Sequence, residues 1–518
     1  MNDTNTHTPH APEAGAKPGA GAHDRRWLGL FAILSAMIMN LLDATVVNIA
    51  APSIRQDLGG SETSLQWIAA SYPLAMAVGL LTGGRLGDMF GRRRVLMTGV
   101  LGFVASSVAC ALAWSPGGLT GARVVQGLFA AIMVPQAFGL IREMFPPREI
   151  GKAFGALGPV IGLSTILGPV VAGALVDADV LGTGWRMVFL INVPIGAFTL
   201  IAGAKALPGG SGQRGLRLDV TGALVAGAGV FLLVYPLVQG RELGWPVWLL
   251  AVAAGAVVAL GTFAVQQRRR TRSGGTPLVE LSVLGRRSYT SGVAFVIVFF
   301  GSIVGFSLAI GLFLQMGLGM SPVRASLTMV SWAVGAFFGS AFSAMKAGLG
   351  RRILHLGLAL MAVGLAGIYL VFERAGTGVG GWDLAAPLVV YGLGMGMIFV
   401  PLFGIIMGEV RDHEVGSASG LLEAFQQLGG SLGVAGLGTV FFSAAGSAPA
   451  VADFVSGAQH VTLLALALTL AAIPLGFLLP RHAREQGATE AAPNEAPASG
   501  TAPRGGTAAE RTPEPARV

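Results

Sequence analysis

Residues 83–99 read Gly83-Gly-Arg-Leu-Gly-Asp-Met-Phe-Gly-Arg-Arg-Arg-Val-Leu-Met-Thr-Gly99 and separate two long apolar runs. Arg85, Asp88 and the three arginines at 92–94 are costly to place in hydrocarbon, so the chain must leave a bilayer here. It re-enters an apolar run within about ten residues, which is too few for a folded domain. The stretch therefore predicts a membrane hairpin between two spanning helices.

Glycine spacing in this hairpin goes beyond what membrane topology requires. Four glycines, at positions 83, 84, 87 and 91, would let two helix ends approach closely and turn sharply. Asp88 is a single acid among arginines and could form a salt-bridged latch. A loop that only sets topology would explain the arginines, but neither Asp88 nor the glycines.

The composition is typical of a chain that lies mostly in lipid. Of the 518 residues, 53% are hydrophobic and 12% are charged, and the mean hydropathy is +0.68. The net charge of +8 does not indicate nucleic-acid binding, because the basic residues lie in short loops between apolar runs. One cysteine, Cys110, excludes an internal disulfide and a cysteine-based metal cluster.

Fourteen apolar segments have close to the ~20 residues that cross hydrocarbon. They lie near 27–50, 65–85, 94–114, 118–140, 152–175, 185–206, 219–238, 246–266, 289–313, 323–345, 352–372, 384–408, 416–443 and 459–480. Lys and Arg concentrate in alternate loops, which predicts an even number of spans with both termini in the cytoplasm. The first 24 residues lack an apolar core and predict a disordered tail, not a signal peptide.

An internal repeat predicts two related bundles. Leu58-Gly-Gly-Ser61 and Gly91-Arg-Arg93 in the first half match Leu318-Gly-Met-Ser321 and Gly350-Arg-Arg352 in the second. Parallel repeats of this kind place a substrate site near the bilayer midplane between two six-helix bundles. Chance similarity between glycine-rich spans is the alternative.

The predicted fold class is an all-α polytopic membrane protein of two six-helix bundles, related by a pseudo-two-fold repeat, with two extra central spans. Those two spans are expected to be peripheral, lipid-facing packing. The predicted regions are a disordered cytoplasmic tail (1–24), an N-terminal bundle (25–206), a two-helix insert with basic linkers (207–288), a C-terminal bundle (289–480) and a second disordered cytoplasmic tail (481–518).

Ionisable residues inside spans are costly and mark functional-site hypotheses. Asp43 follows Asn40 by nearly one turn in span 1, and Arg123 precedes Gln126 by nearly one turn in span 4, so both form polar stripes that would line a cavity. The alternative is a buried ion pair that only fixes helix packing.

Glu423 is the third such residue. Gln426 and Gln427 follow it at i+3 and i+4, which predicts another polar stripe facing a cavity, with structural packing as the alternative. Four further acids sit at predicted membrane edges and are expected to be solvated: Asp219, Glu280, Glu409 and Asp412.

Several motifs together resemble the fourteen-span drug:proton antiporter family of the major facilitator superfamily, over about residues 27–480. Besides the hairpin, they are Leu42-Asp-Ala-Thr-Val-Val-Asn-Ile-Ala-Ala-Pro-Ser53, Arg123-Val-Val-Gln-Gly127, Gly158-Pro159 with Gly162, Gly168-Pro169 with Gly173, and Trp185-Arg-Met-Val-Phe-Leu-Ile-Asn-Val-Pro-Ile-Gly196.

The resemblance implies a proton-coupled antiporter that exports hydrophobic drug-like or antibiotic compounds across the cytoplasmic (plasma) membrane. Proton coupling would fall to Asp43 and Arg123, and the cavity to Asn40, Gln126, Glu423, Gln426 and Gln427. A gating loop would comprise Gly84, Arg85, Gly87, Asp88, Gly91, Arg92 and Arg93. A bending antiporter helix would carry Gly158, Pro159, Gly162, Gly168, Pro169 and Gly173.

We expect a monomer whose partners are protons, the lipid bilayer and small hydrophobic substrates, cationic ones among them. No cofactor or metal is expected, because the sequence has no phosphate-cradling Gly-Lys-Ser loop and no metal-ligand pattern. Two alternatives stay open. One is a dedicated exporter of one endogenous metabolite. The other is a membrane-embedded enzyme acting on lipid or polyprenyl substrates, which would need acids or histidines clustered at one membrane face.

Overall fold

The computed structural model describes residues 20–146, 149, 153, 157–179, 182–210, 212, 218–273, 275, 277–279, 285–346, 349–406, 415–444 and 450–479. This part of the chain contains fourteen long helices, one for each predicted span. They are α1 (Ala20–Leu58), α2 (Glu62–Phe90), α3 (Arg92–Ala111), α4 (Pro116–Met144), α5 (Leu157–Ala178), α6 (Asn192–Ala206), α7 (Val220–Gln239), α8 (Trp248–Arg272), α9 (Arg287–Leu312), α10 (Pro322–Met345), α11 (Arg351–Ala375), α12 (Ala385–Ile406), α13 (Val415–Ser443) and α14 (Val451–Phe477). A short helix, Met187–Leu190, leads into α6.

Length and hydropathy identify the helices as membrane spans. Twelve helices in the described residues are long and apolar enough to cross a membrane. The other two long helices, α5 and α13, have 22 and 29 residues. The predicted fold class, an all-helical multi-pass membrane protein, is confirmed. One boundary differs, because α1 begins at Ala20, within the stretch predicted as a disordered tail.

The two copies of the sequence repeat have the same local structure. Ser61 and Ser321 are N-caps, accepting hydrogen bonds from backbone N–H groups at 3.3 and 3.5 Å. Gly91 and Gly350 precede α3 and α11 with φ of 90° and 53°, a left-handed conformation that favours glycine. The repeat therefore specifies equivalent helix ends in both halves.

Helix packing follows the same repeat. In the first half α4 packs along α2 and α3, and α1 packs along α5 and α6; in the second half α12 packs along α10 and α11, and α9 packs along α13 and α14. The halves meet at two equivalent seams, α2 against α13 and α10 against α5. We call the side that carries the α1–α2, α3–α4 and α7–α8 connections the distal side.

The inserted helices α7 and α8 pack on each other, and α7 also packs on α2 and α13. Exposed apolar side chains cover their outer faces, as expected for lipid contact: Leu224, Leu250, Val257 and Val258. The insert therefore lies beside one of the two seams between the halves.

Asp219, which precedes α7, is buried and not solvated as its edge position predicts. Its Oδ1 caps α7 by accepting from Gly222 N at 2.9 Å, and its Oδ2 accepts from Gln267 Nε2 at 2.8 Å. An Arg270 nitrogen lies 2.9 Å from Oδ1. Gln267 Oε1 in turn accepts from Leu278 N at 2.7 Å, so one carboxylate ties both ends of the insert to the segment before α9.

The solvated interpretation of Asp219 is wrong because the end of α8 folds back over it, which a membrane-edge position cannot reveal. The other three edge acids, Glu280, Glu409 and Asp412, lie outside the described residues.

Replacing Asp219 by Ala should lower the free energy of unfolding by about 2–3 kcal/mol, because a helix cap is lost and buried donors are left unpaired. Denaturant unfolding in detergent measures this. The matched control is Asp383→Ala, which removes an exposed carboxylate that accepts from Gly380 N. Equal losses in the two variants would contradict the structural role of Asp219.

Acid should remove the same contribution of Asp219 to the free energy of unfolding. Burial raises the pKa of Asp219, but hydrogen bonds from Gly222 and Gln267 and the charge of Arg270 outweigh it and hold the pKa below its usual value. Because the unfolded carboxyl binds its proton more tightly, the stabilisation is complete above the unfolded pKa of ~3.9 and is lost as pH falls through the folded-state pKa. Asp219→Ala should lack this acid-dependent loss.

Candidate functional site

Asp43 of α1 and Arg123 of α4 form a buried ion pair, the arrangement that the sequence leaves open as the alternative to a cavity lining. Their side chains are 0% and 1% exposed, and Arg123 Nη1 donates to Asp43 Oδ2. Gln126, one turn along α4, donates through Nε2 to Asp43 Oδ1 at 2.8 Å and accepts from Arg123 Nη1 at 2.8 Å. Three predicted site residues thus belong to one network.

Two residues of this network are not among the predicted site residues. Asn192, at the start of α6, donates through Nδ2 to Asp43 Oδ1 at 3.1 Å and to Ser107 Oγ of α3 at 3.2 Å. Ser107 also accepts from Gln126 Nε2 at 2.7 Å, and both residues are fully buried. Asp43 therefore accepts hydrogen bonds from α4 and α6. The sequence signal that could have identified Asn192 is its position as a polar residue inside the apolar run 185–196.

The predicted stripe on α1 divides between two partners. Asn40 does not join Asp43, because its Oδ1 accepts from the Tyr72 hydroxyl of α2 at 2.5 Å. The guanidinium carbon of Arg123 lies 4.3 Å from the centre of the Tyr72 ring and 5.7 Å from that of Phe189, within the range of cation–π attraction. Aromatic faces therefore complete the surroundings of the buried cation.

Hydrogen-bonding capacity remains in the network. Arg123 Nε and Asn192 Oδ1 are buried without a partner. Each unpaired buried polar atom is costly. Both carboxylate oxygens of Asp43 have donors, whereas these two atoms of its partners have none among the described residues.

Glu423, Gln426 and Gln427 lie on α13, apart from this network. Gln427 Nε2 donates to Glu423 Oε1 at 3.2 Å, and Gln426 Oε1 is buried without a partner. No Lys or Arg in the described residues forms a salt bridge with Glu423. The next residue, Ala424, packs into the hydrophobic core of the first half with Tyr72, so this group lies close to the α2–α13 seam.

The arginines of the hairpin contact neighbouring helices and the end of the insert. Arg92 lies 3.4 Å from Asp88 and 3.2 Å from Glu143 of α4, and Arg85 donates to the Pro277 carbonyl before α9. Arg93 donates to the Ala204 carbonyl of α6 at 2.5 Å. The hairpin thus joins α2 to the end of the insert, and α3 to α4 and α6.

Two glycines of the hairpin, Gly83 and Gly87, approach α4 closely. A Cβ on Gly83 would overlap the Ala131 carbonyl, and one on Gly87 would overlap Gln136, which also donates to the Gly83 carbonyl at 2.8 Å. Gly84 is different, since a Cβ there would meet nothing within 4 Å, so the close approach predicted for it is wrong.

The helix α5 contacts both halves. A Cβ on Gly168 would lie 2.7 Å from Thr45 Oγ1 of α1, and one on Gly173 would lie 2.7 Å from the Pro322 carbonyl of α10. Pro169 lies inside the helix. Three further predicted residues, Gly158, Pro159 and Gly162, belong to α5, but their surroundings lie outside what the structure describes.

Comparison with known proteins gives one family match. The model of the Major Facilitator Superfamily matches residues 33–434. Relatives include the probable actinorhodin transporter of Streptomyces coelicolor, 47% identical over 87% of this chain and 79% of that protein. The tetracenomycin C resistance and export protein of Streptomyces glaucescens is 34% identical over 83% of this chain and 78% of that protein. A puromycin resistance protein of Streptomyces alboniger is 35% identical over 89% of this chain and 91% of that protein.

Solved structures show the same fold at low sequence identity. A D-xylose–proton symporter superposes with a TM-score of 0.59 at 18% identity, covering 88% of this chain and 97% of the other. A POT family peptide transporter gives 0.60 at 14% identity, covering 87% and 95%.

A double-mutant cycle on the buried pair tests whether its two charges depend on each other. Asp43→Asn and Arg123→Gln should each lower the free energy of unfolding by about 3–5 kcal/mol, because each leaves one buried charge unpaired. The double variant should lose clearly less than the sum. Denaturant unfolding in detergent measures all three.

The matched control for this cycle is the exposed pair Asp57 and Arg186, which lie 2.6 Å apart. The same substitutions there should cost less than about 1 kcal/mol each. Strictly additive losses at Asp43 and Arg123 would contradict their coupling.

Proposed function

Because the chain belongs to the Major Facilitator Superfamily, we propose that it is a proton-coupled antiporter that exports antibiotic-like or drug-like compounds across the cytoplasmic membrane. The observation that carries the proposal is the buried Asp43–Arg123 pair, a titratable group and a permanent charge inside an apolar bundle. The chain is a transporter and not an enzyme, which removes the lipid-modifying alternative.

Relatives support the class of substrate. Three of them are named for actinorhodin, tetracenomycin C and puromycin, as transporter, export protein or resistance protein. A dedicated exporter of one metabolite is the second candidate, since the 47% identical relative is named for a single compound. Export of a chemically diverse panel distinguishes the two.

In the proposed cycle, Asp43 carries the proton. When ionised, its carboxylate holds Arg123, Gln126 and Asn192, and so draws α1, α4 and α6 together. Protonation removes the charge that Arg123 needs, while the guanidinium itself stays charged. One proton can therefore loosen the packing of three helices, and its release on the other side restores it.

The membrane potential supplies enough energy for uphill export. One proton that moves with the potential yields about 2.3 kcal/mol per 100 mV, which corresponds to a gradient of roughly tens-fold. A pH difference across the membrane adds to this.

We place both termini in the cytoplasm and the distal side outside. The distribution of arginines supports this orientation, because the basic starts of α3 and α11, at 92–94 and 351–352, lie opposite the distal side. Within this orientation, the two halves rock around their seams, the hairpin at 84–93 latches the cytoplasmic side, and α5, which touches both halves, bends or slides.

Replacing Asp43 by Asn should abolish uphill export, because the amide keeps the shape of the carboxyl but cannot titrate. Substrate binding and downhill exchange should partly remain. The decisive measurement is substrate-induced proton release from detergent-solubilised protein, with Asp57→Asn as the matched control. Proton release equal to that of the parent would place the coupling site elsewhere.

Glu423 is proposed to favour cationic substrates. It is half-buried near the seam and forms no salt bridge with a Lys or Arg of the described residues, so a cationic substrate could pair with it. Glu423→Gln should depress export of cations several-fold and spare neutral compounds, as measured by efflux from proton-driven vesicles.

The control for this selectivity test is Glu373→Gln, which changes an exposed glutamate that also accepts from a glutamine, Gln459. Equal losses for cationic and neutral compounds in Glu423→Gln would assign the residue to packing or coupling.

A further inference from the structure

Arg241, in the connection between α7 and α8, contacts both halves of the molecule. Its Nη2 pairs with Glu62, in the first turn of α2, and its Nη1 donates to the Phe442 carbonyl, in the last turn of α13. The guanidinium carbon lies 5.7 Å from the centre of the Phe442 ring. One side chain of the insert thus spans the α2–α13 seam.

The ends of the two helices suit this position electrostatically. Phe442 supplies one of the last carbonyls of α13, which have no partner within the helix and lie at its negative end. Glu62 adds a carboxylate that is only 13% exposed. A guanidinium has enough donors to bind both groups at once, which an ammonium could not do in the same geometry.

The α7–α8 connection presents Arg241 from a structured turn. Trp245 N donates to the Gly240 carbonyl at 2.8 Å, and its ring covers Gly240 so closely that a Cβ there would lie 2.5 Å away. Trp245 has a φ of 55° and follows Gly244 at 72°, so the turn is held in the left-handed region. Arg241 is therefore presented in a fixed position.

Neighbouring contacts bind the insert to the same two helix ends. Thr439 Oγ1 of α13 donates to the Leu237 carbonyl of α7 at 2.7 Å, and Gln66 Nε2 of α2 lies 3.5 Å from Thr439 Oγ1. Ser61, the cap of α2, lies 3.5 Å from Glu242. Three helices from different parts of the chain meet here on the distal side.

At the equivalent seam, α5 against α10, neither α7 nor α8 packs against these helices in the part of the chain that the structure describes. There Asp177 accepts from Val323 N at the start of α10 at 3.3 Å, and Gly173 lies against Pro322. The halves close this seam with their own residues, whereas at the other seam Arg241 of the insert adds a bridge to direct contacts such as that between Gln66 and Thr439. The distal side is thus held together at both seams in this structure.

We propose that Arg241 is a gate residue, and that the insert keeps the distal side closed until Arg241 leaves Glu62 or Phe442. The inference rests on the proposed function only in assigning the distal side to the outside. It gives the insert a part in the transport cycle, where the sequence predicts only peripheral packing.

A distance measurement between the halves tests the gate. Spin labels at Gly117→Cys, in the first turn of α4, and at Gly378→Cys, after α11, report the separation of the distal ends of the two halves. A Cβ at either site would meet nothing within 4 Å, so the labels should not disturb the packing. The native cysteine is removed by Cys110→Ala. Arg241→Gln should raise the population with the distal ends apart by about three- to tenfold, as expected from losing one partly exposed ion pair and one hydrogen bond.

Arg186→Gln is the matched control. Its side chain is 33% exposed, close to the 30% of Arg241, and it also lies on the distal side, but its partner Asp57 belongs to the same half. Its distance distribution should equal that of the parent. The same distribution in Arg241→Gln would overturn the gate.

A second variant keeps the test decisive if Arg241→Gln fails to fold. Glu62→Gln should shift the population in the same direction, because it removes the carboxylate that pairs with Arg241. The other salt bridge of Glu62, to Arg55 at 3.9 Å, lies within the first half and does not cross the seam. An unchanged distribution would count against the gate. The distances are measured in detergent without substrate or a proton gradient. The predicted change in distance can therefore be absent while proton release and export behave as proposed, or the reverse. The gate and the proposed function are thus tested separately.

Discussion

A carboxylate and a guanidinium that share an apolar interior are stable only while they remain together. Asp43 and Arg123 are both excluded from solvent. The polar groups around them lie on three helices: Gln126 on α4, Asn192 on α6 and Ser107 on α3. The packing of the first half depends on this constraint, because separating the charges would leave each one unsolvated. In the proposed cycle, this constraint is the reason why one proton is enough to change the site.

Much of the fold could be predicted because membrane helices are specified by length and hydropathy. The repeat was also visible, since the caps Ser61 and Ser321 need the same residue at the same place. Asp43 and Arg123 stood out because charges inside apolar runs are rare. Asn192 and Ser107 did not, because uncharged polar residues are common in spans and only their neighbours reveal a role.

Other features depend on contacts between distant parts of the chain. Asp219 occupies a membrane edge in the sequence, and its burial results from Gln267 and Arg270, which lie about one helix hairpin away. Gly84 stands among glycines that pack against α4, yet it points to open space. Arg241 is one of several loop arginines, and nothing near it in the sequence indicates that Glu62 and Phe442 meet there.

At one end the insert is held together by Asp219 and Gln267, and at the other end Arg241 fastens it to Glu62 and Phe442. Its fastening points belong to different halves, so it acts as a strut and cannot be regarded as an appendage. A twelve-helix version, with α6 joined directly to α9, would lose the bridge across one seam while the other seam stayed intact. The distal end of that seam would then depend on direct contacts between α2 and α13 alone, such as that of Gln66 with Thr439.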